Sequence, residues 1–377
     1  VSGFTTTGAS ILSDVEAVSR CSTTWRCFSH WIGGMGVLVF IIAIVPLSGG
    51  SNINLMRAES PGPSVGKLVP KVKHTARILY IIYLGLSLIE FVVLIAAKMP
   101  VFDAMNTTFG TAGTGGFGIK NSSLGGYSVT IQWIVTIFMM LFGVNFNAYY
   151  IMIFGSIKKA LSMEEVRAYF GIILTAIVII TINIYSICSG VWDAVTKSAF
   201  QVGSIITTTG FATTDFNIWP QTSKTILVLL MFVGACAGST GGGFKQVRLV
   251  ILWKTLRRNV HKFLHPSEVR VIEYNNRPMP ESIVNNISSY LIVYVFLVMA
   301  STLLISVDGF DFETNFSAVM ATVNNIGPGL SLVGPVSNFA SFSTFSKIIL
   351  TFDMLAGRLE IMPILILFSK STWKRAR

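Results

Sequence analysis

The sequence predicts an all-α integral membrane fold of repeated units, each a helix, a half-length helix, a loop and a second helix. Three observations predict it. Apolar residues make up 52% of the 377 and charged residues 12%, against about 25% charged in a soluble domain, and the mean hydropathy is +0.67. Apolar runs at 75–97, 130–155, 168–188, 283–307 and 346–369 reach the roughly 20 residues that cross a bilayer as a helix; shorter or broken candidates lie at 30–47 and 225–253. A Thr/Gly cluster also recurs four times, its final glycines Gly8, Gly116, Gly210 and Gly327 about 108, 94 and 117 residues apart. That period leaves room for two spanning helices and one short re-entrant segment.

Taken in order, the units are the filter loop and second helix of a first unit (1–60), then 61–160, 161–265 and 266–377. Their loops read Phe4-Thr5-Thr6-Thr7-Gly8-Ala9, Gly113-Thr114-Gly115-Gly116-Phe117, Thr207-Thr208-Thr209-Gly210-Phe211 and Asn324-Asn325-Ile326-Gly327-Pro328. Ahead of the last three lie Val101-Phe102-Asp103-Ala104, Val191-Trp192-Asp193-Ala194 and the looser Phe310-Asp311-Phe312. An aspartate there suits a helix start, its carboxylate capping free backbone N–H groups. From these starts, segments of about 10 to 14 residues are too short to span. Each directs its partially negative C-terminus into the membrane, where it favours a cation.

Irregular backbone at membrane depth is tolerated only in a protein interior or along a water-filled cavity, so four such loops point to a pore. A single Thr-Gly cluster reads as an ordinary turn; four at a regular period do not. Rings of backbone carbonyls that replace a hydration shell are the known solution for potassium. Glycine tolerates the positive φ that turns successive carbonyls inward, and threonine adds stiffness and a hydroxyl. The expected filter is Thr6, Thr7 and Gly8; Thr114, Gly115 and Gly116; Thr208, Thr209 and Gly210; and Asn325, Ile326 and Gly327.

A net charge of +11 raises nucleic acid as a partner, and the placement of the charge argues against it. Of the 28 Lys and Arg, about 19 fall in 57–77, 158–167, 248–277 and the tail from Lys370, the asymmetry expected of cytoplasmic loops facing anionic lipid. Cys21, Cys27, Cys188 and Cys236 have no metal spacing, and a disulfide between Cys21 and Cys27 stays open. The chain opens at Val1 inside a motif, so a preceding N-terminal portion is expected.

The run Gly234-Ala235-Cys236-Ala237-Gly238-Ser239-Thr240-Gly241-Gly242-Gly243-Phe244-Lys245 cannot hold a helix, each glycine costing about 1 kcal/mol against alanine. A nucleotide phosphate loop requires Gly-Lys followed by Ser or Thr, whereas Phe244 separates Gly243 from Lys245. Arg358 stands in an apolar helix predicted over 350–368, where a central charge costs at least about 2.5 kcal/mol and so faces a pore or a partner; Asp353 and Glu90 are the alternative partners. Glu90 itself reads either as an ion relay or as a packing contact. His30 and Trp31 read as anchors at a helix start, and His265-Pro266 as a contact surface in a basic loop.

These residues, with His30-Trp31-Ile32-Gly33-Gly34-Met35-Gly36 and Arg57-Ala58-Glu59-Ser60-Pro61-Gly62-Pro63, resemble the TrkH branch of the Trk/Ktr/HKT superfamily of potassium transporters over essentially the whole chain. The resemblance implies four non-identical repeats around one four-fold pseudo-symmetric, potassium-channel-like pore, the first repeat incomplete in this chain. It also implies K+ as the transported ion, since glycine at all four filter positions accompanies potassium in the superfamily and serine in the first accompanies sodium. The fourth loop departs from Thr-Thr-Gly. By the same resemblance Gly238, Ser239, Thr240, Gly241, Gly242, Gly243 and Lys245 form an intramembrane loop obstructing the pore, with Arg358 an electrostatic barrier beside it. A homodimer in the bacterial inner membrane is implied, with a cytosolic nucleotide-binding TrkA-like regulatory subunit docked on the basic loops; ATP, ADP or NAD acts on that partner, and this chain binds no cofactor. No catalytic constellation is visible, so the chain is not read as an enzyme. The alternatives are a cation-coupled secondary symporter with broken helices and the potassium-binding subunit of an ATP-driven pump.

Overall fold

The computed structural model describes residues 1–36, 72–268 and 270–367. The basic motif at 57–63, the tail from Lys370 and most of the candidate helix at 30–47 lie outside them.

Among the described residues the first helices of the last three units are continuous. They are α2 (Val72–Ala96), α7 (Glu164–Ile184, extended by a 3-10 turn to Ile187) and α11 (Glu281–Ile305), following α1 (Arg20–Gly34). Each is long and apolar enough to cross a membrane; at 1.5 Å per residue, 25 residues reach about 37 Å. Their outer faces are apolar and exposed: Leu88 and Val92 on α2, Leu174 and Ile182 on α7, Phe296 and Leu303 on α11. That is the surface hydrocarbon requires, while threonine, serine and asparagine fill the centre.

The second helices of the last three units are broken. The apolar run at 130–155, expected as one span, is α4 (Val129–Phe142) and α5 (Phe146–Phe154), bent by 89°. The break is held by tertiary bonds: the Gly143 carbonyl accepts from the Cys236 N–H at 3.1 Å, and the Phe146 N–H donates to the Gly238 carbonyl at 2.9 Å. After the short α6 (Ile157–Leu161), the third unit breaks where the glycines predict, between α9 (Gln221–Val233) and α10 (Gln246–Leu264). In the fourth, the helix expected over 350–368 ends at Arg358, as α13 (Thr344–Arg358), and resumes as α14 (Ile361–Leu367) after Glu360 at φ 68°. A 2.6 Å ion pair between Glu360 and Arg248 of α10, both sides largely buried, fixes this break.

Between the paired helices lie α3 (Val101–Ala112), α8 (Val191–Ile206) and α12 (Phe312–Val323), of 12, 16 and 12 residues. The middle one is longer than expected. The aspartates differ in role. Asp311 caps α12, accepting from the Thr314 N–H at 3.2 Å; Asp193 reaches back to the Ser189 N–H at 3.1 Å. Asp103 instead accepts from the Tyr127 hydroxyl at 2.7 Å, and Pro100 stands at the cap position. An unpredicted hairpin pairs β1 (Glu273–Tyr274) with β2 (Arg277–Pro278) through Asn275 and Asn276. Both asparagines have positive φ, as a tight two-residue hairpin turn requires. All four cysteines are free, and the Cys27 thiol donates to the Phe117 carbonyl at 3.4 Å.

Candidate functional site

Four chain segments end in one local structure. The N–H groups of Thr6, Thr114, Thr208 and Asn325 each bond the carbonyl three residues back, on Gly3, Thr111, Ile205 and Thr322. The N–H groups of Thr7, Gly115, Thr209 and Ile326 each bond five residues back, to Ser2, Gly110, Ser204 and Ala321. This pair of bonds is the Schellman closure of a helix C-terminus, whose C′ residue takes the left-handed conformation usually filled by glycine. Here φ is 54°, 50°, 60° and 55° at Thr6, Thr114, Thr208 and Asn325. For threonine that conformation costs on the order of 1–3 kcal/mol and persists only where surroundings impose it.

Two residues later the chain returns to positive φ, at Gly8 (78°), Gly116 (72°), Gly210 (84°) and Gly327 (97°). Two positive-φ residues separated by one residue outside that region are thus common to all four segments. The segments also close on one another. A Cβ on Gly8 would overlap the carbonyl oxygen of Gly115, one on Gly116 that of Thr209, one on Gly210 that of Ile326, and one on Gly327 that of Thr7. The order one, two, three, four, one is a ring, and the four glycines line a single cavity of about 150 Å³.

Side chains lock the ring. Thr5 and Thr7 share a hydrogen bond of 2.8 Å between hydroxyls, as Thr207 and Thr209 do at 2.7 Å. The Asn325 amide, which departs from the threonine pattern, donates to the Thr7 hydroxyl at 3.0 Å and the Met354 carbonyl at 2.9 Å. It thereby ties the fourth segment to the first and to α13.

Against one side of the ring lies the glycine-rich stretch 234–245. The Gly242 N–H donates to the Thr208 hydroxyl at 2.6 Å, and the Thr240 hydroxyl to the Phe142 carbonyl at 3.2 Å. A Cβ on Gly242 would sit 2.6 Å from the Asn324 carbonyl, so the close approach itself requires glycine. The Gly238 carbonyl accepts from the Phe146 N–H at the break of α4–α5, and the Ser239 hydroxyl donates to the Cys236 carbonyl at 2.6 Å. Gly241 packs on Thr207, and the buried Lys245 ammonium donates to the Gly241 carbonyl. Gly243, at φ 79°, lets the chain turn onto Gly234.

Arg358 closes the arrangement. Its guanidinium donates to the Thr6 hydroxyl at 3.1 Å, the Thr240 carbonyl at 2.9 Å and the carbonyls of Gly33 and Gly34. These four acceptors are neutral oxygens, so a permanent positive charge stands between ring, loop and the end of α1. Asp353 accepts from the Ser301 hydroxyl at 2.8 Å, and Glu90 is buried beside Thr111.

A family model described as "TrkH: Cation transport protein" matches residues 1–375. The chain belongs to the TrkH family. It is 36% identical over 378 residues to the Trk system potassium uptake protein TrkH of Salmonella typhimurium, covering 99% of this chain and 78% of that protein. The same name, identity and coverage hold for the protein of Escherichia coli K12. The crystal structure of the potassium transporter TrkH from Vibrio parahaemolyticus superposes with a TM-score of 0.86 at 31% identity, over 99% of this chain and 77% of that one. TrkH-family membership makes the chain a multi-pass membrane protein and a transporter rather than an enzyme.

Three residues at the site are not reached by sequence reasoning. His30, expected as an interfacial anchor, is fully buried and stacks on Phe117 at 4.1 Å, directly behind Gly115. A Cβ on Gly357 of α13 would overlap the Val323 carbonyl, so this glycine sets how closely that helix approaches the ring. Glu165, in the first turn of the apolar α7, is 1% exposed and bonds the loop. A histidine among glycines in 30–36 is the one signal that points to the first of these.

Proposed function

We propose that the chain is the ion-conducting membrane subunit of a Trk-type potassium uptake system. K+ passes along the axis at which the four segments meet, coordinated by the backbone of Thr6, Thr7, Gly8 and their three counterparts. The stretch from Gly238 to Lys245 is the intramembrane gate, and Arg358 is the charge barrier within it. The observation that carries this reading is the ring: four segments share one backbone alternation, and each glycine seals against the carbonyl of the next. Carbonyls held at fixed spacing by strained, over-determined backbone can replace a hydration shell without collapsing.

The names of the relatives support potassium as cargo. The repeat boundaries 1–60, 61–160, 161–265 and 266–377 place one ring segment in each unit. The chain forms a homodimer and is regulated by a cytosolic TrkA-like subunit that binds the nucleotide. The docking surface includes the far end of α10, where Trp253, Leu256, Phe263 and Leu264 are exposed among Arg257, Arg258 and Lys262.

The test is Gly8→Ser in the full chain, reconstituted in proteoliposomes. A side chain at Gly8 meets the Gly115 carbonyl at a positive φ, so the K+ over Na+ permeability ratio falls by roughly tenfold, about 1.4 kcal/mol of discrimination. An unchanged ratio in a correctly assembled variant overturns the filter assignment.

A further inference from the structure

The loop 234–245 carries positive-φ glycines at Gly234, Gly238 and Gly243, and such a stretch loses unusual conformational freedom when ordered. It keeps one shape because bonds hold it. Those nearest the ring are neutral bonds to Thr208 and Phe142 and the contact with Arg358. On the opposite side a carboxylate holds it. Glu165, 1% exposed, accepts from the Ala237 N–H through Oε1 at 2.5 Å and from the Asn145 amide through Oε2 at 3.2 Å. Asn145 also caps α5, accepting from the Asn147 N–H at 2.9 Å. One side chain therefore fastens the loop and the start of the bent helix to the first turn of α7, where the helix N-terminus favours a negative charge.

Its neighbour Glu164 faces elsewhere. Glu164 accepts from the Asn275 N–H at 3.1 Å and from the Lys254 ammonium, and its own N–H donates to the Asn275 side chain at 3.0 Å. Lys254 also donates to the Glu273 carbonyl at 2.7 Å. Two consecutive carboxylates on one rigid turn thus grip the loop beneath the ring with one side chain and the hairpin 273–278 with the other.

We propose that Glu165 is the latch that positions the loop across the pathway, and that Glu164 couples this latch to the hairpin, so that displacing the hairpin releases the loop. This rests on reading the loop as the gate. A charge-assisted bond contributes roughly twice a neutral one, so cutting it shifts the closed–open balance while leaving the ring intact.

The experiment is single-channel or proteoliposome flux recording of the full chain. Glu165→Ala is expected to raise open probability about tenfold with unitary conductance and K+/Na+ ratio unchanged, and Glu165→Gln, which keeps one acceptor, to give an intermediate value. A merely structural glutamate would instead lower the amount of functional protein without moving open probability. If Glu165→Ala does not accumulate, Asn145→Ala cuts the bond from Glu165 to the start of α5 while leaving that to Ala237, and is expected to raise open probability by a smaller factor; an unchanged open probability in it would overturn the latch. Asn275→Gly keeps the turn backbone but removes the side chain that bonds Glu164. It should raise open probability alone, yet add nothing in the Glu165→Ala background. Multiplying effects would overturn the coupling. Arg358→Ala serves as the benchmark. If it raises flux and the Glu165 variants do not, the latch is wrong and the gate stands; if neither raises flux, the gate reading fails and the latch with it.

Discussion

Two residue types do opposite work at the ring. The glycines are there because a Cβ would overlap a neighbouring carbonyl, and the threonines occupy a left-handed conformation that their branching disfavours. The second fact explains the density of hydroxyl bonds around Thr5, Thr7, Thr207 and Thr209, since a strained backbone survives where its neighbours over-determine it. Arg358 combines a charge with a four-point tether, and the two roles separate by mutation. Arg358→Ala is expected to raise potassium flux about tenfold. Arg358→Lys keeps the charge but loses the planar fork and should lie between wild type and Ala. Unchanged or reduced flux from Arg358→Ala at normal expression would contradict the barrier role.

At the scale of elements, the short helices and their turn into the ring are legible because Thr/Gly clusters recur at a fixed period. The broken second helices are legible in one case of three. The stretch 234–245 has too many glycines to remain helical, whereas Gly143-Val144-Asn145 and Leu359-Glu360 carry no comparable local signal. Their breaks are made by partners distant in sequence, the Cys236 N–H on Gly143 and Arg248 on Glu360. A hydropathy run therefore reads as continuous where the structure is not. The aspartates show the same limit. Asp311→Ala, which removes a side-chain cap, is expected to lower stability by about 1 kcal/mol. Asp103→Ala removes a bond to Tyr127 but leaves capping untouched. Thermal unfolding in detergent, with Tyr127→Phe as the control for the second bond, distinguishes them: the effect of Asp103→Ala should vanish in the Tyr127→Phe background, and that of Asp311→Ala should not.

Among the described residues the spanning helices have apolar outer faces around a polar centre; Arg26 and Lys120 line the ring's cavity, while a denser basic cluster, Lys254, Arg257, Arg258 and Lys262, stands on α10 and lines no part of it. By the positive-inside rule, that basic cluster predicts the end of α10 in the cytoplasm and, on the proposed reading, the cavity outside. A membrane-impermeant thiol reagent should accordingly label the exposed Cys21 in intact cells, in a Cys188→Ser background. A cysteine replacing Leu264 should react only in inside-out vesicles. The reverse labelling would invert the topology.

The central claim is that four segments form one cation site. It is tested most directly by diffraction from crystals of the full chain grown in rubidium, with data collected at the rubidium absorption edge. Anomalous density is expected on the axis enclosed by the carbonyls of Thr7, Gly115, Thr209 and Ile326. A well-ordered ring with no anomalous density there, and a peak elsewhere in the membrane region, would contradict it.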